Sequence, residues 1–512
     1  MDSEPLILAR SEPLIGVVDY LGRPIGRSRS GRWTSALFII GVEITERPRP
    51  PPPPVNTWSG AASMLPLLGA LLADSCLGRY RTIVLASLLY VLGLGMLTFS
   101  SVLPSKCQEA VDTGSCGPPA FQVVFFYFSL YLVAFAQGGH KPCVQAFGAD
   151  QFDQNDPKER LSRSSFFNWW YFGMCGGNIF TVTILNYIQD NVGWGLGFGI
   201  PCIAMLIALA VFLLGTKTYR FYPLEDESPF ARLGKSLVAL ARSKRGAANS
   251  MTSNECIETE DHAEDAKEAL RLLPIWATCL IYAVVFSQFS TFFTKQASTL
   301  DRRITSTLQV PPAALQSFIN VSAVAFIPIY DRLIVPVTRN FSKIPSGITM
   351  LQRIGIGMVM SLLSMVVAAL VEMKRLKTAS DYGLIDQPDV PIPMSLWWII
   401  PQYVLVGTGD VFTMVGLQEF FYDQVPDALR SLGLALYLSI FGVGSFISSF
   451  LVTAIDVATR KRGESWFSNN LNRGHLDYFY WLLAGLSGLE LVFYVYFAKG
   501  YVYKRKENSI VR

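Results

Sequence analysis

Residues 69–81 read GALLADSCLGRYR and place a short charged turn between two long apolar runs. The flanking runs, at about 58–76 and 81–103, are long enough to cross a ~30 Å hydrocarbon core as helices. The whole chain has this character, because 51% of its 512 residues are hydrophobic, 16% are charged and the mean hydropathy is +0.34. Soluble domains carry about 25% charged residues. The sequence therefore predicts a multi-pass, all-α membrane protein.

Twelve apolar runs follow one another in two groups of six, if a short first run is counted. They lie at 34–45, 58–76, 81–103, 121–143, 165–188, 195–215, 272–293, 313–335, 349–372, 395–422, 431–455 and 476–499. The predicted organisation is a cytosolic tail at 1–33, a six-helix bundle at 34–216, a cytosolic linker at 217–270, a second six-helix bundle at 271–499 and a cytosolic tail at 500–512.

Basic residues orient these helices in the membrane. Clusters such as Arg79 with Arg81 recur in alternate loops, and an excess of Lys and Arg marks the cytosolic side. The linker and both termini therefore face the cytosol. Lys374, Arg375 and Lys377 fall on the other side, so the rule holds only as a bias. The net charge of +4 is too small to indicate a nucleic-acid partner.

Six spans, a cytosolic linker and six further spans form the layout of major facilitator transporters. Asp74, Gly78, Arg79 and Arg81 resemble the loop signature of that superfamily, in which an Asp and an Arg brace the helix ends in one conformation. An ordinary loop that happens to contain an Asp and an Arg is the alternative interpretation.

A closer resemblance extends from about Leu14 to Tyr496. The segments VEITER, GGHKPCVQAFGADQFD, SFFNWWYFGMCGG, TFFTKQASTLDR and GLQEFFYDQVPDALRSLGLALY follow one another as in the plant nitrate/peptide transporter family. This family is the plant branch of the proton-dependent oligopeptide transporters. The resemblance implies a symporter that takes up a small solute with protons. Substrates of the family include nitrate, short peptides and hormones, so the cargo stays open.

Glu43, Glu46 and Arg47 share one helix face, because their spacing is i, i+3 and i+4. Charges are costly in lipid and mark functional sites. A carboxylate beside an arginine can exchange a proton when its partner moves away, and the resemblance implies this role here. It also implies that Arg47 contributes to the substrate site. The alternative is that the three charges only mark the end of a short span.

Lys141 lies near the end of an apolar span, after Gly138 and Gly139, which allow close helix approach. The resemblance implies that Lys141 pairs with the Glu-x-x-Glu carboxylates, whereas the alternative is a Lys that reaches the membrane interface. Glu419 matches the substrate-pocket glutamate of the family.

Three further residues of the second bundle bear on the substrate site. Gln288 is a candidate substrate ligand in the seventh span. Asp410 lies nine residues before Glu419, on the opposite helix face, and is expected to brace a neighbouring helix. Phe286 occupies the position where a nitrate-transporting relative has a histidine, which weakens nitrate as the substrate.

The stretch PRPPPPP at 48–54 interrupts the first span, because proline cannot continue a helix. From Trp33 to Arg47 a helix rises only about 22 Å, short of the ~30 Å core. The family continues the helix here and then adds an outer loop. A chain with a truncated first helix that no longer transports, as an inactive isoform or a gene-model artefact, is therefore the alternative function. Such a chain would act at most as a sensor or partner.

Other sequence signals are weaker. With three histidines and neither a His-Glu-x-x-His nor a phosphate loop, the sequence indicates no enzyme, metal or cofactor. Cys107 and Cys116 share a polar loop away from the cytosol, where a disulfide can form. Asp2, Leu6 and Ile7 fit an acidic dileucine sorting signal, which favours the vacuolar membrane over the plasma membrane. The oligomeric state is open.

Overall fold

A computed structural model gives the structure of the chain. It describes residues 13–26, 30–43, 55–103, 120–153, 156–185, 188–189, 192–222, 234–235, 238, 270–303, 310–342, 347–425, 430–461, 465–468 and 470–503. In these ranges nine helices are long and apolar enough to cross a membrane. The predicted all-α membrane class is confirmed. By its internal contacts the chain forms one unit of Met1–Val55 with Ala62–Leu224, and another of Asn56–Ala61 with Glu225–Arg512.

Among its described residues the N-terminal unit contains a small hairpin and six α-helices. The hairpin strands are β1 (Pro13–Val18) and β2 (Pro24–Gly26), which pair antiparallel. The helices are α1 (Arg32–Glu43), α2 (Val55–Leu72), α3 (Arg79–Val102), α4 (Ala120–Ala149), α5 (Pro157–Phe180) and α6 (Trp194–Leu214). The described part of α1 has 12 residues, which corresponds to about 18 Å.

Besides helical residues 270–278 and some single turns, the described residues of the C-terminal unit form eight α-helices and two short parallel strands. The helices are α7 (Leu280–Gln288), α8 (Phe292–Ser298), α9 (Ser317–Ile329), α10 (Val335–Ser342), α11 (Met350–Asp381), α12 (Ile400–Asp423), α13 (Arg430–Arg460) and α14 (Leu476–Gly500). The strands are β3 (Leu300–Asp301) and β4 (Ile392–Ser395). The seventh span is interrupted: residues 270–278 are helical, and breaks at Cys279 and at 289–291 separate them from α7 and α8.

Small residues bring the helices of each unit together. In the N-terminal unit a Cβ on Gly69 of α2 would overlap the Gly138 backbone of α4, which confirms the close approach predicted from the glycine pair. In the C-terminal unit a Cβ on Gly357 of α11 would meet Thr413 and the Gly409 carbonyl of α12. Close backbone contact is a main source of helix association in lipid, where burying apolar side chains gains little.

The outer helix faces carry exposed apolar side chains. Phe128, Leu214 and Val492 are between 59% and 77% exposed. In water such surfaces would promote association, but in a bilayer they contact the lipid chains. The exposed faces thus agree with the membrane class that the composition predicts.

Arg375, which seemed to violate the charge rule, is not a loop residue. It is fully buried in α11, and its guanidinium binds both Glu372 oxygens at 2.6 and 2.8 Å. It also donates to the Asn472 side chain at 2.8 Å and to the Leu471 carbonyl at 2.9 Å. Because this charge is neutralised inside the bundle, it carries no information about orientation.

A buried network of ion pairs joins Glu159 to two arginines of the N-terminal unit. The Arg220 guanidinium donates to Glu159 Oε2 at 2.7 Å, and Arg32 Nε donates to Glu159 Oε1 at 2.8 Å. Arg220 also donates to the Gln151 carbonyl at 2.9 Å. Next to it, Val18 of the hairpin exchanges two backbone hydrogen bonds with Phe221, at 2.9 and 3.0 Å.

Through this network the N-terminal unit includes two segments that the sequence analysis had placed outside the six-helix bundle. The hairpin belongs to the predicted tail at 1–33, and Arg220 belongs to the predicted linker at 217–270. The unit extends to Leu224. Arg220 falls within the predicted linker by its position in the sequence, but it is 1% exposed and bound to Glu159.

Glu159 makes the stability of this part of the N-terminal unit depend on pH. Burial by itself raises the pKa of this carboxyl, but hydrogen bonds from Arg220, the Asp153 amide and Arg32 hold the pKa below its ordinary value of 4.5. A carboxyl whose folded-state pKa is depressed stabilises the fold above its unfolded pKa. That stabilisation is lost as the pH falls through the folded-state pKa.

We expect Glu159→Gln to destabilise the protein at pH 7 by about 3 kcal/mol, because it leaves the buried Arg220 without a counter-charge. The difference from the wild type should shrink as the pH falls below about 4.5. Thermal unfolding in detergent, followed by tryptophan fluorescence from pH 7 to pH 3, measures both effects. Asp386→Asn is the matched control, since its ion pair with Arg473 is exposed and worth less than about 1 kcal/mol. A constant difference across this pH range would contradict the assignment.

Candidate functional site

The predicted proton cluster lies at the end of the described part of α1. Glu43 is the last residue of that helix, and its side chain is outside the described part of the structure. Glu46 and Arg47 are outside the described residues, as are Cys107, Cys116, Asp2, Leu6 and Ile7. The roles of these residues stay predictions.

Lys141 lies on α4 and is half-buried, three residues after Gly138. Pro142 follows it inside the helix and removes one backbone donor. The contact of Gly138 with Leu65 and Gly69 brings α2 against this part of α4. The sequence therefore places a cation at the point where two helices approach most closely. Its pairing with Glu43 and Glu46 stays a prediction.

The loop signature forms an ion cluster with a member that the sequence interpretation had missed. Asp74 lies in a wide helical turn, Ala73–Leu77, and Gly78 ends that turn with a φ of 77°, which favours glycine. Arg79 then begins α3. Its Nε lies 3.3 Å from Asp74 Oδ1, and its Nη1 forms an ion pair with Asp150 at the end of α4. Arg81 is exposed.

This geometry joins the α2–α3 turn to the end of α4 through one guanidinium. Asp74 and Asp150 are 4% and 2% exposed, so the ion pairs are shielded from water. Asp150 belongs to the segment GADQFD, which served only as a family signature. The sequence signal that could have identified Asp150 was a charged residue next to a helix end and close to a basic loop.

In the C-terminal unit Glu419 lies beside a buried arginine. Arg353 Nη1 is 3.8 Å from Glu419 Oε2, and the two residues are 3% and 7% exposed. The distance is within ion-pair range but too long for a direct hydrogen bond. Arg353 is fixed independently, because its guanidinium lies 4.4 Å from the Tyr330 ring centroid and donates to the Val411 carbonyl at 3.0 Å. Arg353 of α11 is thus held by two other segments, the turn after α9 that begins with Tyr330 and helix α12 that carries Val411.

Sequence reasoning did not select Arg353. It occurs in MLQRIGIGM, about one turn inside an apolar span, and an arginine in such a place is a functional candidate by its cost in lipid alone. Its partner could not be identified in the same way. Arg353 and Glu419 are 66 residues apart in the sequence, and only the packing of α11 on α12 brings them together.

Gln288 lies at the end of α7, fully buried. Its amide nitrogen donates to the Val284 carbonyl at 2.6 Å, to Ser287 Oγ at 2.9 Å and to Ser448 Oγ of α13 at 3.0 Å. These contacts join α7 to α13. Substrate binding by Gln288 stays a prediction.

Asp410 braces a neighbouring helix, as predicted. Its Oδ1 accepts a hydrogen bond of 2.6 Å from the Tyr282 hydroxyl of α7, and both residues are 2% exposed. Phe286, one turn further along α7, packs against Phe289 and Phe441 with ring centroids 4.7 and 5.1 Å away. An aromatic cluster therefore surrounds Phe286, the position at which a nitrate-transporting relative has a histidine.

The described residues contain no group of three or more His, Cys, Asp or Glu side chains arranged to hold a metal ion. The chemistry of the two units is instead that of buried ion pairs and of buried carboxylates.

Comparisons with known proteins agree with this interpretation. Residues 80–467 match the POT family. The chain is 56% identical to the Arabidopsis thaliana protein NRT1/PTR FAMILY 5.10, covering 97% of this chain and 98% of that protein. It is 48% identical to NRT1/PTR FAMILY 5.12 of the same plant, with 98% of each chain covered. The first alignment has 546 positions against 512 residues here, so that relative carries internal residues without a counterpart in this chain.

Solved structures show the same fold. An auto-inhibited POT family peptide transporter superposes with a TM-score of 0.62 at 21% identity, covering 93% of this chain and 98% of that one. The POT family transporter PepTSo gives a TM-score of 0.62 at 20% identity, with 91% and 98% covered. Because similarity to transporters covers nearly the whole chain, an inactive isoform or gene-model artefact is not favoured. The chain is no enzyme; it is a multi-pass membrane transporter and belongs to the POT family.

Proposed function

We propose that this chain is a proton-coupled symporter of a small polar or anionic solute and works by alternating access. The observation that carries the proposal is the intramembrane pair of Arg353 and Glu419. A charged pair is costly to bury and is retained where a charged solute or a proton must be handled. Arg353 keeps its position through Tyr330 and Val411, so Glu419 is the member of the pair that can change partner.

The geometry supports a division of roles between these two residues. At 3.8 Å the pair leaves the carboxylate without a direct hydrogen bond from Arg353. A solute anion can take the place of Glu419 beside the arginine, and protonation of Glu419 then removes the competing charge. Proton binding and solute binding would favour each other in this way, which is the requirement for symport.

In the N-terminal unit we assign proton exchange to Glu43, Glu46 and Arg47, with Lys141 as their counter-charge. The support is the family resemblance together with the half-buried position of Lys141 on α4. We assign a conformational role to Asp74, Arg79 and Asp150. Their buried ion pairs fix the α2–α3 turn against the end of α4, and breaking them would release both elements together.

The substrate class follows from the charges and from the seventh span. The fixed guanidinium of Arg353 favours a solute that carries a carboxylate or a phosphonate, or it favours nitrate itself. Solved POT family transporters have been described with alafosfalin and with 5-aminolevulinic acid. Phe286 provides no imidazole that could receive a proton together with nitrate. We therefore place short peptides and amino-acid-like zwitterions before nitrate.

Uptake into proteoliposomes containing the full chain tests the transport proposal. Nitrate, dipeptides and 5-aminolevulinic acid form the substrate panel. We expect accumulation that rises with acid outside pH and with a negative inside potential, because protons and solute enter together. A protonophore should abolish it. Accumulation that is insensitive to the protonophore, or no uptake of any class, would contradict the proposal.

Lys141→Ala should abolish proton-driven accumulation while leaving solute exchange between the two sides measurable, because it removes only the counter-charge of the proton cluster. Lys295→Ala is the matched control, since this lysine of α8 is exposed and its ammonium lies over the Phe292 ring. Equal accumulation by the two variants would assign Lys141 to the membrane interface instead.

Glu419→Gln should change the apparent substrate affinity at least tenfold and lower the thermal stability less than Glu372→Gln does, because the 3.8 Å pair with Arg353 has no direct hydrogen bond to lose. Glu372→Gln provides the contrast. It leaves fully buried Arg375 without its ion partner, and we expect a loss of about 3–5 kcal/mol in stability. Binding and thermal unfolding measured on both purified variants distinguish a site residue from a structural one. Unchanged affinity in Glu419→Gln would remove Glu419 from the site.

For the location in the cell we propose the vacuolar membrane, on the basis of the acidic dileucine sequence with Asp2, Leu6 and Ile7. Replacing Leu6 and Ile7 by Ala in a fluorescent fusion should move the protein toward the plasma membrane. The second copy of the motif, at Leu14 and Ile15, is replaced in a parallel variant. An unchanged distribution in the variant lacking both copies would rule out sorting by this signal.

A further inference from the structure

Two carboxylates of the C-terminal unit are buried at one tyrosine and take no part in the ion pairs described above. Asp410 lies on α12, ten residues after its start, and Glu490 lies on α14, 14 residues after its start. At 1.5 Å per residue these positions are about 15 and 21 Å along their helices, far from either end. They are 2% and 6% exposed. Both contact Tyr282 of α7.

Tyr282 joins the two carboxylates through different groups. Its hydroxyl donates to Asp410 Oδ1 at 2.6 Å, and its backbone N–H donates to Glu490 Oε1 at 2.8 Å. The rings of Phe286 and Phe441 pack on Tyr282 with centroid distances of 6.4 and 6.3 Å and keep the site apolar.

Glu490 accepts a hydrogen bond at the break in the seventh span. Cys279 has φ −96° and ψ 0°, so the helix stops there and α7 begins at Leu280. The first amides of a helix have no partner within that helix. Glu490 accepts the amide hydrogen of Tyr282, and a carboxylate at a helix N-terminus is stabilised by the helix dipole. The break is thus held by an acidic side chain from a different helix.

Among the described residues, neither carboxylate has a counter-charge in its surroundings. Within the described residues Asp410 and Glu490 form no ion pair with Lys, Arg or His. From α11, Arg353 reaches the Val411 carbonyl next to Asp410, but its ion pair is with Glu419. From α13 the ionisable neighbour is Tyr437, and from α14 it is Tyr494, near Cys279 at the break. Helix α9 carries no ionisable side chain.

We propose that Asp410, Tyr282 and Glu490 form a proton-binding site that is separate from the first-helix cluster and controls the break at Cys279. A carboxylate buried without a cation gains stability by binding a proton. When Glu490 is ionised it caps α7 fully, and when it is protonated the cap is weaker. Proton occupancy is therefore linked to the shape of the seventh span, and Tyr282 transmits the state of one carboxylate to the other.

The inference rests on the proposed function in one respect, namely that the bound proton is used in transport. The isosteric variants Asp410→Asn and Glu490→Gln keep acceptors for both Tyr282 bonds and are expected to fold. Infrared difference spectra of the purified protein, recorded as the pH is changed, report protonated carboxyl groups through their C=O stretch. We expect a titrating band in the wild type that is lost in the double variant. Tyr282→Phe should shift it.

Asp456→Asn is the control, because Asp456 pairs with Arg460 at the end of α13, away from Tyr282. It should retain the band. If the double variant retains the same band, the proton site is excluded, whatever the transport assay shows.

Accumulation in proteoliposomes tests the use of that proton. With an imposed gradient of about one pH unit, loss of one coupled proton lowers the accumulation ratio about tenfold, because one unit is a tenfold difference in proton activity. We expect this loss in the double variant, with solute exchange retained. A wild type without proton-driven accumulation would overturn the proposed symport, whereas a proton-driven wild type matched by the double variant would overturn the coupling role of this site.

Discussion

Charge in a membrane has to be neutralised within the protein, and this constraint governs the interior of both units. Hydrocarbon provides neither water nor counter-ions, so a buried guanidinium needs acceptors from the chain itself. Arg79, Arg353 and Arg375 each meet this need with a carboxylate from the same unit. The helices that carry these partners must therefore pack in one register. Close contacts at Gly69 and Gly357 allow them to do so.

The buried charges fall into two groups according to the role proposed for them. Arg375 and Arg220 are surrounded by short hydrogen bonds to carboxylates, side-chain amides and carbonyls, as expected of charges that hold a structure together. Glu419 stands 3.8 Å from Arg353, and Asp410 and Glu490 have no cation among the described residues. A fully satisfied pair changes state only at a large cost. Under the proposed function, Glu419, Asp410 and Glu490 are instead the groups that change state, by binding a proton or by yielding Arg353 to an anion.

The aromatic cluster of the seventh span affects what the transporter can bind. Phe286 with Phe289 and Phe441 makes this part of the C-terminal unit apolar, and the polar groups of the span, Tyr282 and Gln288, are directed to other helices. Under the proposed function, recognition of a charged end of the solute falls to Arg353 and Glu419. Such an arrangement suits a solute with one charged end and an organic remainder better than it suits a small inorganic anion.

The sequence by itself determined the membrane class, the two groups of spans and the family, because apolar runs and local motifs are properties of neighbouring residues. It also indicated Asp74 with Arg79, the close approach at Gly138 and the bracing role of Asp410, since spacing along one helix or turn was sufficient. Arg353 beside Glu419, Asp150 beside Arg79, Glu159 beside Arg220 and Glu490 at Tyr282 were decided only by the tertiary structure. Partners in these pairs lie between 61 and 208 residues apart. A charge in lipid indicates that a partner exists, but helix packing alone selects which residue it is.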